Sequence, residues 1–189
     1  MCDHCFDSGS RRAFSRGATA PLLRSADRER PNILWLTWED IGPHLHCCGD
    51  EYSTIPNFDY LAKRGCVYDN AWASAPVCAP ARTAIIPGVC PTSTGAEHMR
   101  SMSPMPAGWK MFPGYLHDAG YYCTNKDKED YNLEKPEGTW DVSSEAIGGC
   151  GSAGDPADNP VDPARGPWRN RKPGQPFLAV FNDMTTHES

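Results

Sequence analysis

The run Ile33-Leu34-Trp35-Leu36-Thr37-Trp38, followed at once by Glu39-Asp40, constrains the fold more than any other part of the chain. It is too short for a core helix and does not alternate apolar with polar. It therefore reads as a strand buried on both faces, as in a parallel sheet covered by helices. The two acids fall at its carboxyl end. Pro56 then suits the first turn of a helix whose apolar residues Phe58, Leu61 and Ala62 recur at helical spacing, with Gly65 as its cap. Cys66 to Trp72 reads as a second strand. Pro80 is tolerated near the start of a helix running through Thr83 to Ile86 and closed by Pro87-Gly88, which puts Cys78 at that helix's N-terminus. Phe112 to Ala119, stopped by Gly120, is a further helix feeding a strand from Tyr121 to Thr124, and Phe177 to Phe181 is the last strand. Such alternation defines an α/β fold, a mainly parallel sheet flanked by helices. Residues 134–176, rich in Gly, Pro and Asp, read as an irregular insertion carrying binding loops. In an open parallel sheet ligands bind beyond the carboxyl ends of the strands, where Glu39, Asp40 and Cys78 are expected to lie.

Charge and cysteine content narrow the classes of function. A formal net charge of -6 leaves no electrostatic footprint for nucleic acid. No apolar run approaches the roughly 20 residues of a membrane-spanning helix, so no transmembrane segment is expected. Nine cysteines is an odd number, so at least one stays unpaired, and Cys78 is the natural candidate. Residues 1–30 are arginine-rich with no apolar period and read as a leader or a disordered arm. Within them Ser10-Arg11-Arg12-Ala13-Phe14 and the short apolar stretch to Leu23 resemble a twin-arginine leader. A working leader implies a periplasmic or secreted protein, and otherwise a cytoplasmic one. Cys2-Asp3-His4-Cys5 offers three soft ligands where a structural zinc takes four.

Cys78-Ala79-Pro80-Ala81-Arg82 carries the chemistry. Cys-x-Pro-x-Arg resembles the signal by which sulfatases have a cysteine oxidised to formylglycine. Its surroundings agree with that family in order. Pro31 to Asp40 resembles its opening strand and acidic metal pair, and Ile55 to Ala62 its next helix. Asn70 to Pro91, Gly95-Ala96-Glu97-His98-Met99-Arg100-Ser101, Ala119 to Asn125 and Pro176 to Ser189 continue the likeness. The pattern is most similar to heparan N-sulfatase and arylsulfatase A. The resemblance implies an alkaline phosphatase-like fold, present here as the N-terminal portion of a catalytic domain over residues 31–189 and so incomplete.

By the same resemblance, formylglycine derived from Cys78 is the nucleophile, and residue 78 also faces the metal. Glu39 and Asp40 are the ligands of one divalent cation, Ca²⁺ by ligand type, with Glu39 standing where the family usually has a second aspartate. Arg82, one helical turn beyond Cys78, and Lys128, with Lys126 as a rival, would neutralise sulfate oxygens. His187 in Thr185-Thr186-His187 would serve the leaving oxygen, and His98 the substrate. Asp130 stands where many members have a histidine two residues beyond the lysine.

The implied activity is hydrolysis of sulfuric esters or sulfamates on small molecules or glycans, after modification by the formylglycine-generating enzyme. The family's remaining metal ligands are expected after the final strand read here, so a chain of these residues alone is expected to be inactive. The competing readings are a truncated, non-catalytic remnant and a related phosphonate or phosphate monoester hydrolase.

Overall fold

The computed structural model describes residues 30–145 and 166–187. The leader-like segment, the Cys2-Asp3-His4-Cys5 cluster and most of the expected insertion lie outside them. The described residues from Pro31 onward form one compact unit. Strand β1 is Ile33–Trp38, helix α1 Pro56–Ala62, α2 Cys78–Ile85, α3 Phe112–Asp118, and strands β2, β3 and β4 are Tyr122–Asp127, Val142–Glu145 and Phe177–Asp183. The four strands lie in the order β1-β4-β2-β3 and every pair is parallel. Among the described residues no helix is long and apolar enough to cross a membrane.

Each helix begins where a proline can be placed without losing a hydrogen bond: Pro56 and Pro113 sit in first turns, and Pro80 is the third residue of α2. Helix α3 ends as its glycine requires. Gly120 takes φ 88°, its N–H bonds to the His117 carbonyl at 2.8 Å, and the Tyr121 N–H bonds to the Leu116 carbonyl at 3.0 Å. That pair of bonds is a Schellman closure, and it turns the chain directly into β2.

Leu178 and Val180 of β4 pack with Cys123 of β2 and with Tyr121 just before it, joined by Ile33, Leu116, Phe112 and Trp140. A second cluster of Ile86, Ala96, Met111 and Leu133 shares the last two residues. Phe112 links the clusters through its ring, stacked on Trp35 at 5.6 Å and edge-on to Trp140 at 6.3 Å.

Three sequence expectations are corrected. Cys66 to Trp72 is loop, with Tyr68 and Trp72 81% and 85% exposed, because no neighbouring strand offers that segment a ladder. The segment 134–176 contains strand β3, whose Val-Ser-Ser-Glu sequence has too little apolar content to announce itself. Strand β1 is not buried on both faces: among the described residues it pairs only with β4, and Leu34, Trp35 and Leu36 are 58%, 38% and 41% exposed.

Candidate active site

The carboxyl ends of β1, β2 and β4 meet the N-terminus of α2. Parallel pairing sets this, since Trp38 stands opposite Asp183 and Lys126 opposite Phe181, so the residues that follow each strand emerge at the same edge. Cys78 is the first residue of α2, and Val77 before it is extended. Its side chain is half-buried. Burial raises the thiol above its ordinary range, as does its hydrogen bond to the Asp130 carboxylate, while nearby Lys128 acts in the opposite sense. The thiol therefore faces polar groups at neutral pH, with its proton on.

Glu39, 8% exposed, is held from two sides. Arg82 Nη1 donates to its Oε1 at 3.0 Å and Lys128 Nζ to its Oε2 at 3.1 Å. Lys128 Nζ also lies 3.6 Å from Asp130 Oδ2, a buried oxygen with no hydrogen-bond donor of its own. This arrangement separates the rival lysines: Lys128 points inward, whereas the Lys126 side chain is 42% exposed and sits 3.9 Å from Asp127.

Arg82 is turned toward the protein. Its Nε donates to the Glu129 carbonyl at 3.0 Å, and its Nη2 to the Lys128 carbonyl at 2.8 Å and to Asn182 Oδ1 at 2.7 Å. With Nη1 on Glu39, four of its five N–H donors are engaged. Beneath it Asn182, 1% exposed, accepts from Thr37 Oγ1 at 2.7 Å and donates to Asn125 Oδ1 and to the Lys126 and Lys128 carbonyls. Asn182 follows the strand predicted at Phe177 to Phe181, and sequence reading missed it. Its only signal is an amide one residue past an apolar run. Glu129, 3% exposed, was missed as well: it takes hydrogen bonds from Lys135 and Ser143 and sits inside an apparent run of surface charge.

On the other side of Glu39, Asp40 leaves β1 in a left-handed conformation, φ 52°, and its Oδ2 lies 2.9 Å from His187 Nδ1. The neighbouring Thr186 hydroxyl donates to the Glu39 carbonyl. Glu39, Asp40 and His187 each bring a donor atom within 4.8 Å of the other two. Two carboxylates suit a hard cation, although Ca²⁺ takes roughly six to eight oxygens and the described residues supply only part of such a cage. Cys78, Arg82, Lys128, Glu39, Asp40 and His187 thus share one network. His98 does not join it: the residue is exposed, and its ring makes no hydrogen bond to any of them.

Asp183, at the end of β4, has a depressed pKa, chiefly through hydrogen bonds from Thr185 and additionally from the Trp38 indole at 3.1 Å. A depressed carboxylate adds stability above its unfolded pKa, near 4, and loses it as pH falls through the lower folded value. Asp183→Asn is accordingly expected to be less stable than the parent at neutral pH, with the difference shrinking as pH falls below the ordinary carboxylate range, by urea denaturation. A constant difference across that range would contradict the assignment.

The family model for sulfatases matches residues 31–188. Over 173 residues the chain is 40% identical to an ulvan-active sulfatase of Formosa agariphila, covering 85% of this chain and 26% of that protein. It is 34% identical over 98 residues to human iduronate 2-sulfatase, covering 51% of this chain and 18% of that one. Among solved structures, one described as a complex with its substrate D-glucosamine-2-N,6-O-disulfate superposes with a TM-score of 0.67 at 23% identity, covering 84% of this chain and 35% of that chain. A putative sulfatase from Bacteroides thetaiotaomicron superposes with a TM-score of 0.61 at 18% identity, covering 84% and 36%. The chain belongs to the sulfatase family, and its parallel sheet with flanking helices is the alkaline phosphatase-like fold. It spans about a quarter of the length of the ulvan-active relative.

Proposed function

We propose that residues 31–187 carry the nucleophile end of a sulfuric ester or sulfamate hydrolase acting on sulfated saccharides. The observation that carries this reading is the convergence of Cys78, at the first position of α2, with Asp130, Lys128 and Glu39 at the carboxyl edge of the sheet. Saccharide substrates are favoured by the relatives, which include an ulvan-active sulfatase and iduronate 2-sulfatase. Formylglycine made from Cys78 would supply a hydrated aldehyde, one of whose hydroxyls can attack sulfur while the other gives the sulfate a route of departure. A divalent cation, Ca²⁺ by ligand type, would be held by Glu39 and Asp40 beside residue 78 and would polarise the sulfate.

The chain's own groups divide the remaining work. The N-terminus of α2 directs positive potential at residue 78 and any anion beside it. Lys128 lies between Glu39 and Asp130 and offers its ammonium to a sulfate oxygen. Arg82 fixes Glu39 and the Lys128 carbonyl and keeps one N–H for the substrate, so most of its contribution is positional. His187, oriented by Asp40, is the donor to the departing oxygen. His98, exposed in the turn after Gly95, is left with substrate contact at a distance from the reacting sulfur.

Because the described residues fill only part of a calcium cage, the assay uses the longest polypeptide that carries them, produced with the formylglycine-generating enzyme. Sulfate release from D-glucosamine-2-N,6-O-disulfate and from ulvan oligosaccharides is followed by ion chromatography. Release is expected, and His187→Ala should slow it by about 10²–10⁴-fold, the range for a lost general acid. Release at equal rates by parent and a Cys78→Ala variant would overturn the reading.

A further inference from the structure

At the amino end of the same sheet, roughly 15 Å along β2 from Lys128, a second cluster of chemically mixed side chains converges. His117 lies in the last turn of α3, Cys123 is the second residue of β2, and Asp141 immediately precedes β3. His117 Nε2 is 2.8 Å from Asp141 Oδ2, and that oxygen also accepts the Cys123 backbone N–H at 2.6 Å. One donor atom from each of the three, a sulfur, a nitrogen and a carboxylate oxygen, lies within 4.8 Å of the others.

The His117–Asp141 contact is a salt bridge and Cys123 packs with Leu178 and Val180, yet the arrangement also brings the sulfur within ligand distance of both polar side chains. Cys123 is fully buried, and its sulfur donates to the Pro113 carbonyl at 3.7 Å while lying within 4.8 Å of a donor atom of each of the two polar side chains. The His117 and Asp141 side chains are 25% and 34% exposed, so the cluster is closed on the sulfur side and open to solvent on the other. The carboxylate is fixed by a backbone N–H, as ligating carboxylates commonly are.

We propose that His117, Cys123 and Asp141 form a site for a thiophilic divalent cation of the zinc class, with water as the fourth ligand. Three protein ligands of S, N and O type with one open position match zinc's tetrahedral preference. Hard cations are disfavoured by the sulfur. In the absence of a cation, burial and then the Asp141 charge push the Cys123 thiol up to about 12. Metal uptake forms the metal–sulfur bond as the S–H proton leaves to solvent. The bound ion would tie the end of α3 to β2 and to the entry of β3.

Cobalt(II) tests the site, because thiolate ligation gives a sulfur-to-cobalt charge-transfer band that carboxylate or imidazole ligation does not. The metal-free chain is titrated with Co²⁺ and then with competing Zn²⁺. A band that Zn²⁺ removes is expected. It should persist in a Cys2→Ser/Cys5→Ser/Cys47→Ser/Cys48→Ser variant and in Cys78→Ser, and be lost when Cys123→Ser is added to the first of these. His117→Gln replaces a half-exposed ligand and guards against misfolding of the buried Cys123→Ser variant, checked by circular dichroism. Its affinity for Zn²⁺ should fall by more than about 10–100-fold, the loss typical of an outer-shell partner. The absence of a thiolate band in the parent, or its survival in a folded His117→Gln variant with unchanged Zn²⁺ affinity, would overturn the proposal.

Discussion

Cys78→Ala is expected to lower sulfate release by a factor on the order of 10⁶, the scale seen when a hydrolase loses its nucleophile. The same substitution should change unfolding stability by less than about 0.5 kcal/mol, because the side chain is half-buried and leaves no cavity in either apolar cluster. This pairing separates chemistry from folding. Asp130 loses its thiol partner in the variant but keeps Lys128 within 3.6 Å, so no buried carboxylate is stranded. Parallel losses of activity and stability would make residue 78 a packing position and contradict its proposed role.

Arg82→Met should have the opposite profile, costing about 3 kcal/mol of stability as well as activity. Removing one partner from a buried ion pair strands the other, and the usual cost is about 3–5 kcal/mol. Glu39 is 8% exposed and would keep only Lys128. The lower end of the range applies because Asn182 retains its bond from Thr37, and the Lys128 carbonyl retains bonds from Asn125 and Asn182. Arg82→Lys should not rescue, since one ammonium cannot reproduce a fork that reaches Glu39, Asn182 and two carbonyls at once. Chemical denaturation measures this. A variant within about 0.5 kcal/mol of the parent would mean that the guanidinium is free to serve substrate alone.

Local signals explain which elements were legible in the sequence. Pro56 and Pro80 near helix starts, Gly120 past a helix end and the run from Ile33 to Trp38 each fix backbone geometry within a few residues, and all of them read correctly as elements. Strand partners were not legible. Whether Cys66 to Trp72 finds a ladder, or Val142 to Glu145 does, depends on which edge is vacant in three dimensions, and short polar strands carry little pattern of their own.

Positions along the chain could be read for the site, but not its wiring. The spacing of Cys78 and Arg82 placed both near one helix terminus, yet Arg82 bonds to Asn182, 100 residues away, and His187 to Asp40, 147 residues away. Such contacts follow from the order in which parallel strands stack. The charge run from Lys126 to Asp130 illustrates the limit: it looks like a solvated surface, yet left-handed turns at Asp127 and Asp130 bury Lys128 and Glu129 while leaving Lys126 outside.

The state of residue 78 is read most directly from the tryptic peptide spanning residues 65–82, taken from protein produced with the formylglycine-generating enzyme and alkylated before digestion. That peptide contains Cys66 as an internal control. Mass spectrometry should find one alkylated thiol, at Cys66, and an aldehyde at position 78 that reacts with a hydrazine probe. Two alkylated cysteines and no probe adduct would contradict the account.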